Sequence, residues 1–254
     1  MRPWIFIQSC PGRERFLEAT VNSLIEAGAP WETIVVCVDG FPGNNACYHG
    51  AITLWPEPRG NLQAFIQIMS IAAKSAAPGD PILFVEDDVQ FCRNAIPRIF
   101  ATGVPKGQPF TTFFDMKEFF PGTPYGLYRV PLQGLDGRGF WGLQCVLLTF
   151  EAVQHFANSP LPAEKAKKLK NHSDMVLAMT LATRNDGASG QDSVLYDSYA
   201  AHVPCLVEHV GAEHSAIWKF QEHEISRRAT NYPGRGFDAL ALPVFDAGDL
   251  VVPG

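Results

Sequence analysis

Apolar runs alternate with helix-like stretches over the first third of the chain. Residues 4–7 and 33–38 are continuous apolar or β-branched runs, which is the pattern of strands buried on both faces of a parallel sheet. Residues 13–27 have apolar side chains at helical spacing, and residues 61–77 form a long and nearly uncharged stretch. Both segments are predicted to be helices. A third apolar run at 82–85 completes a β-α-β-α-β order. This order predicts an α/β fold with a Rossmann-like, mixed but mostly parallel sheet flanked by helices.

The pattern is less regular after residue 88. The elements predicted there are strands over 110–114, 143–150 and 202–209 and helices over 151–157 and 173–183. Thr149 is a candidate cap for the helix at 151–157. Residues 41–60 and 115–142 are rich in glycine and poor in helix formers, and we expect them to be loops.

Composition and charge exclude several classes of protein. With 46% hydrophobic and 18% charged residues, the 254-residue chain has the composition of a globular protein. Its net charge of −6 argues against non-specific binding of nucleic acid. The six cysteines show no C-x-x-C spacing, which predicts reduced thiols and argues against a zinc site. We find no signal peptide and no apolar run of membrane-spanning length, so we expect a cytoplasmic protein.

Three adjacent acids, Glu86, Asp87 and Asp88, follow the apolar run at 82–85, and apolar residues resume directly after them. Adjacent carboxylates repel one another, and a divalent cation such as Mg²⁺ or Mn²⁺ relieves that repulsion. The carboxyl end of a central strand is also where open α/β sheets bind ligands. We therefore predict a metal site for a nucleotide-type ligand, with an acid/base pair or a solvated strand end as the alternatives.

The order of these features resembles that of GT-A fold glycosyltransferases, in which a Rossmann-like nucleotide half ends in an Asp-x-Asp or Glu-Asp-Asp motif. The resemblance implies a GT-A type fold and a Mn²⁺ or Mg²⁺ cofactor. It implies transfer of a hexosyl or N-acetylhexosaminyl group from a nucleotide sugar, most often a UDP-sugar, to an acceptor hydroxyl. Asp88 is then the metal ligand, while Asp87 and Glu86 contact the sugars of the donor. The segment 203–215 is similar to N-acetylglucosaminyltransferase-like sequences that supply a metal-binding histidine, which makes His209 the second metal ligand.

The same resemblance implies further donor contacts. Arg13 lies in the first β-α turn, where it fits a diphosphate or base contact; a surface arginine is the alternative. Asp39 ends the second predicted strand and is expected to contact the nucleoside, although Asp-Gly is also an ordinary turn. Asn61 is expected either to reach the ribose or to cap its helix. Trp141, in the glycine-rich stretch 137–142, is expected to line the donor-sugar and acceptor pocket; its neighbour Phe140 is as readily a core residue.

An inverting transferase also needs a carboxylate that takes the proton of the attacking hydroxyl. In the family this acid begins a helix before the histidine segment, and Asp174 fits that place. Asp192 is the rival, and a simple helix cap is the alternative role for Asp174.

We expect one domain over residues 1–254, with a nucleotide-binding half at 1–90, an acceptor and metal half at 91–218 and a C-terminal wrap at 219–254. The acceptor remains open among a glycan, a lipid, a protein and a modified nucleic-acid base. The lack of a membrane anchor and of paired cysteines sets the chain apart from secretory relatives and favours a bacterial or viral enzyme. A nucleotidyltransferase and a non-catalytic nucleotide- or sugar-binding module are the alternative functions.

Overall fold

Nine strands of the described residues form one sheet with helices on both faces, as seen in a computed structural model. The structure describes residues 1–114, 123–132, 140, 142–167, 172–182, 196–210, 229, 231–245 and 250–251. The strands in these ranges are β1 (Trp4–Ser9), β2 (Ile34–Asp39), β3 (Ile52–Trp55), β4 (Ile82–Glu86), β5 (Val89–Phe91), β6 (Phe110–Thr112), β7 (Gly126–Pro131), β8 (Cys145–Leu148), β9 (Ser198–Val203), β10 (Val207–His209) and β11 (Leu250–Val251). The helices are α1 (Glu14–Glu26), α2 (Asn61–Ser75), α3 (Ala95–Thr102), α4 (Phe150–Asn158), α5 (Leu161–Ala166) and α6 (Ser173–Ala182).

The strand order of the main sheet is β11-β7-β9-β6-β8-β4-β1-β2-β3. β1 pairs in parallel with both β2 and β4, and β3 extends the parallel part beyond β2. β8 runs antiparallel to both β4 and β6, and β7 runs antiparallel to β9. β5 and β10 leave the main sheet and form an antiparallel pair of their own. The predicted fold class, a Rossmann-like, mixed but mostly parallel sheet flanked by helices, is confirmed.

Successive side chains of the central strands point to opposite faces of the sheet, so they pack into two apolar layers. Phe6 of β1 and Phe84 of β4 pack with buried residues of α2, α4 and α6 on one face. Ile7 and Val85, the next residues, pack with buried residues of α1 and α3 on the other face. Both faces are therefore covered, which is why these strands are continuous apolar runs in the sequence.

Several predicted boundaries need correction. Residues 41–60 contain β3 as well as loop, because this edge strand is half exposed and lacks a long apolar run. Residues 115–142 contain β7. The single strand predicted at 202–209 is in fact the end of β9 and the whole of β10, separated by the segment around Pro204. The two alanines of β9, a residue type with low strand propensity, hid its true start at Ser198.

The predicted helices α1, α2, α4 and α6 are present and begin within two residues of their predicted starts. Thr149 caps α4 as predicted, since its hydroxyl accepts the Ala152 N–H at 3.1 Å. The sequence prediction missed α3 and α5, each of which carries a proline within its first three residues. Proline is tolerated in the first turn of a helix but weakens the helical pattern of a short segment. Among the described residues, we find no helix with the length and apolarity needed to cross a bilayer.

Candidate metal and donor site

The acidic residues lie where β4 leaves the main sheet. Glu86 is the last residue of β4, opposite Gln8 of β1, and Asp87 and Asp88 form the turn into β5. Both turn acids are buried, with 4% and 5% of their surface exposed. They are therefore not a solvated strand end, and their charges need partners inside the protein.

Helix α1 holds the acidic turn from one side. The buried Thr20 hydroxyl lies 2.8 Å from the Asp87 carbonyl and 3.0 Å from the Val89 carbonyl, and it accepts the Val89 N–H at 3.1 Å. Ser23, one helical turn later, accepts the Phe91 N–H at 2.8 Å. These bonds fix the backbone on both sides of Asp88.

Strand β10 brings His209 to the same place from the other side. It pairs with β5 so that His209 stands opposite Val89, and the Val210 N–H donates to the Asp88 carbonyl at 2.8 Å. His209 Nε2 consequently lies 3.2 Å from Asp88 Oδ2. One ligand atom each of Glu86, Asp88 and His209 fall within 4.8 Å of one another. The structure thus brings together the two predicted metal ligands and adds Glu86 to them.

The cluster suits a hard or borderline divalent cation. Two carboxylates and an imidazole match the ligand preferences of Mn²⁺, and the carboxylates also suit Mg²⁺. Asp88 Oδ1 and His209 Nδ1 are buried, and neither forms a hydrogen bond with any residue that the structure describes. Buried polar atoms are rarely left unpaired because each costs free energy. A cation at Asp88 would give its unpaired oxygen a partner.

Arg13, in the turn before α1, joins Asp87 to Asp88. Its Nε donates to Asp87 Oδ1 at 2.8 Å, and its Nη2 donates to Asp88 Oδ2 at 2.5 Å. The Ser9 hydroxyl donates to the second oxygen of Asp87 at 2.6 Å. The predicted surface alternative for Arg13 does not hold, because this side chain is the charge partner of the acidic turn.

Burial and neighbouring charges separate the three acids by their pKa values. Burial, followed by the charge of Asp88, raises the pKa of Glu86 to about 7, with smaller contributions from Asp87 and Asp174. Burial raises the pKa of Asp87 to about 6 against the opposing charge of Arg13. Burial also disfavours ionised Asp88, but His209 and Arg13 outweigh it and hold the pKa of Asp88 below its usual value. Asp88 is therefore the acid most readily ionised at neutral pH.

Asp174 lies in the first turn of α6 and is close enough for its charge to raise the pKa of Glu86. The start of α6 is tied to the start of α2, because the Ser173 hydroxyl donates to the Asn61 side-chain oxygen at 2.7 Å. Gln8 donates to the same oxygen at 3.1 Å. Asn61 does not cap α2, since the cap position is Gly60 and no side chain bonds there.

Asp39 ends β2 and lies buried beneath the turn into α2. Its two carboxylate oxygens accept the backbone N–H groups of Arg59 and Gly60 at 2.8 and 2.7 Å. Gly60 has φ of +96°, a conformation that side-chain-bearing residues avoid. Asp39 therefore organises the loop that precedes α2.

Two predicted site residues and the alternative for Phe140 remain to be placed. Trp141 and Asp192 lie outside the described residues. Phe140 is a core residue, fully buried against the rings of Phe110 and Tyr199.

Sequence reasoning missed the polar residues that support the site, namely Gln8, Ser9, Thr20, Ser23 and Ser173. A signal existed for Thr20 and Ser23. They interrupt the stripe of α1 that also contains the buried Leu17 and Leu24. Hydroxyls on the buried face of a helix must find partners, so they mark a helix that bonds to a neighbouring backbone.

No protein-family model matches this chain, and no curated protein sequence matches it. Among solved structures it is similar to residues 1–349 of S. aureus TarS, at 16% identity and a TM-score of 0.42, over 80% of this chain and 60% of that one. It is similar to the mannosyltransferase PcManGT of Pyrobaculum calidifontis in complex with GDP-Man and Mn²⁺, at 13% identity and a TM-score of 0.43, over 63% and 48% of the two chains. It is also similar to the galactosyltransferase LgtC in complex with donor and acceptor sugar analogues, at 11% identity and a TM-score of 0.42, over 78% and 86%. The chain thus spans roughly half to three fifths of the length of the first two structures.

Proposed function

We propose that this protein is a metal-dependent glycosyltransferase that moves a sugar from a nucleotide-sugar donor to an acceptor hydroxyl. The cluster of Glu86, Asp88 and His209 carries the proposal, because its ligand atoms lie within 4.8 Å of one another at the carboxyl end of a central parallel strand. That edge of an α/β sheet is the usual place for a nucleotide. The buried Asp88 Oδ1, which finds no hydrogen-bond partner among the described residues, supports a cation at the same point.

In this proposal Glu86, Asp88 and His209 hold Mn²⁺ or Mg²⁺. When bound, such a cation would stabilise the charge that develops on the departing diphosphate. Glu86, with a pKa of about 7, releases its proton readily as positive charge enters the site. Asp87 stays outside the ligand set, since Ser9 and Arg13 occupy its oxygens.

Asp174 is our candidate for the base that takes the proton of the attacking hydroxyl. It lies in the first turn of α6, at the positive end of the helix dipole. Its electrostatic effect on Glu86 supports a position near the metal ligands. Asp192 remains the second candidate. In an inverting reaction the base accepts the hydroxyl proton as the oxygen attacks the donor sugar.

The other predicted residues complete the donor site in this proposal. Arg13 binds the diphosphate or the base, and Glu86 and Asp87 lie beside the donor sugars. Asp39 contacts the nucleoside and Asn61 the ribose, both from the loop and helix start that they organise. Trp141 lines the sugar pocket.

We propose a UDP-sugar as the donor, a hexosyl or N-acetylhexosaminyl group as the sugar transferred, and the cytoplasm as the location. Residues 1–90 would form the nucleotide-binding half, 91–218 the acceptor and metal half and 219–254 the C-terminal wrap. The acceptor is a hydroxyl of a glycan, a lipid, a protein or a modified nucleic-acid base.

Replacing Asp88 by asparagine tests the function. We screen nucleotide sugars by thermal shift with and without Mn²⁺, because a ligand of the folded state raises the melting temperature. The donor that binds is then assayed for slow hydrolysis or transfer. Wild type should turn over only with the cation, and D88N should lose at least about 100-fold in rate because the leaving diphosphate is no longer stabilised. The control is D197N, since Asp197 is exposed and pairs with Arg129 at the surface.

The outcomes separate the alternatives. Full activity of D88N, or equal losses in D88N and D197N, would refute the proposal. Donor binding without any turnover would indicate a binding module. Release of pyrophosphate from a nucleoside triphosphate and a sugar phosphate would indicate a nucleotidyltransferase.

A further inference from the structure

Arg13 already supplies a positive charge to the acids of the proposed metal site. One guanidinium bridges two residues, with Nε on Asp87 and Nη2 on Asp88. The Asp88 oxygen that receives Arg13 is also the one that faces His209 Nε2 at 3.2 Å. The Arg13 guanidinium and the candidate metal ligand His209 therefore both approach the same oxygen of Asp88.

The two contacts of Arg13 differ in how the rest of the protein supports them. Asp87 is held independently by the Ser9 hydroxyl and does not belong to the three-residue cluster, so its pairing with Arg13 can persist. Asp88 belongs to the cluster, and its other oxygen finds no hydrogen-bond partner in the described parts of the chain. The Arg13 side chain is 24% exposed whereas that of Asp88 is 7% exposed, which makes the arginine the partner with room to move.

We propose that Arg13 sets the cation affinity of this site by competing with the divalent cation for Asp88. When the cation binds, Arg13 keeps its bond to Asp87 and gives up its bond to Asp88. The proximity of a guanidinium weakens cation binding by repulsion, and its bond to Asp88 Oδ2 must be broken before that oxygen, the one that faces His209 Nε2, can bind the cation. The inference rests on the proposed function, since it requires a cation at Glu86, Asp88 and His209.

The competition predicts the direction in which the cation affinity changes when Arg13 is removed, and this direction distinguishes competition from a supporting role of Arg13. If Arg13 only positioned Asp88, removing it would weaken cation binding. If it competes, removing it strengthens cation binding even though the stability of the cation-free protein falls. Direct measurement of Mn²⁺ affinity, without any donor or activity, separates these two roles.

The experiment is a calorimetric titration of Mn²⁺ into the wild-type protein, R13M, R13K and R15M. R13M removes the charge and both bonds, and we expect it to bind Mn²⁺ about ten-fold more tightly, a change of about 1.4 kcal/mol. R13K keeps a charge but loses the two-pronged geometry, so a smaller gain of about three-fold is expected. R15M is the matched control, because Arg15 is exposed and touches the same Phe16 ring as Arg13 without an ion pair to the described acids. Its affinity should stay within about two-fold of wild type, since an exposed charge is screened.

Each result decides the question. Tighter Mn²⁺ binding by R13M, with R15M unchanged, supports the competition. If the wild-type protein binds Mn²⁺ and R13M binds it equally well or more weakly, the inference is overturned while the proposed metal site stands. Binding by none of the chains overturns both. If circular dichroism shows that R13M is unfolded, R13K decides, and an affinity no tighter than wild type overturns the inference.

Discussion

The hydroxyl of Thr20 offers the sharpest test of how the fold positions the candidate metal ligands. The change Thr20→Val keeps the shape of the side chain but removes the hydroxyl that bonds the backbone on both sides of Asp88. The residue is fully buried, so water cannot replace the lost partner. The Val89 N–H loses its acceptor and two carbonyls lose a shared donor. An unsatisfied buried group costs about 1–3 kcal/mol, and we expect the free energy of unfolding to fall by about 2–3 kcal/mol.

The same change should weaken Mn²⁺ binding by about ten-fold, because the freed turn no longer holds Asp88 towards His209. Urea unfolding measures the stability, and calorimetric titration measures the affinity. T20S restores the hydroxyl and should restore Mn²⁺ binding. S23A removes a bond of the same kind from Phe91, three residues beyond Asp88, and should lower stability without changing the affinity. Equal Mn²⁺ affinities for T20V and S23A would refute this account of the turn.

Two further predictions concern titration and catalysis. Burial lowers the pKa of His202 from 6.5 to about 4, so between these values the unfolded chain binds a proton that the folded chain does not. The contribution of neutral His202 to the free energy of unfolding is fully present above pH 6.5 and is lost as the pH falls. The loss reaches about 2 kcal/mol at pH 5. H202N, which can still donate to the Pro204 carbonyl, should show a correspondingly flatter dependence of unfolding free energy between pH 7.5 and 5; a profile parallel to wild type would contradict the assignment. D174N should lower kcat by about 100-fold or more while the donor-induced thermal shift stays unchanged. An unchanged kcat would transfer the role of base to Asp192.

The central sheet and the position of the acids follow from local sequence. Strands buried on both faces must be apolar throughout, so β1, β2 and β4 stand out, and the sudden change to Glu86 marks where β4 ends. The helices between them have enough length to show their period. Edge strand β3 and the alanine-containing β9 lack such a signal, because their stability comes from pairing with neighbours and not from their own residues.

The contacts within the site depend on pairings that no local pattern records. The sequence pointed to Asp88 and His209 separately, but their proximity results from the register of β5 on β10. The pairing of Arg13 with the acids required the turn before α1 to face the turn after β4. Thr20 was missed because a hydroxyl in a helix is usually a local feature, whereas here it binds a distant backbone.

The small β5–β10 sheet also has a consequence for folding. Asp88 and His209 are separated by more than a hundred residues, and in the described structure β5 pairs with β10 alone. The cluster is therefore complete only after a long chain loop has closed, which is a slow, non-local step in folding. A cation bound there would act as a cross-link between early and late parts of the chain and would favour the closed state through mass action. Formation of the cation site would thus report that the two ends of this loop have met.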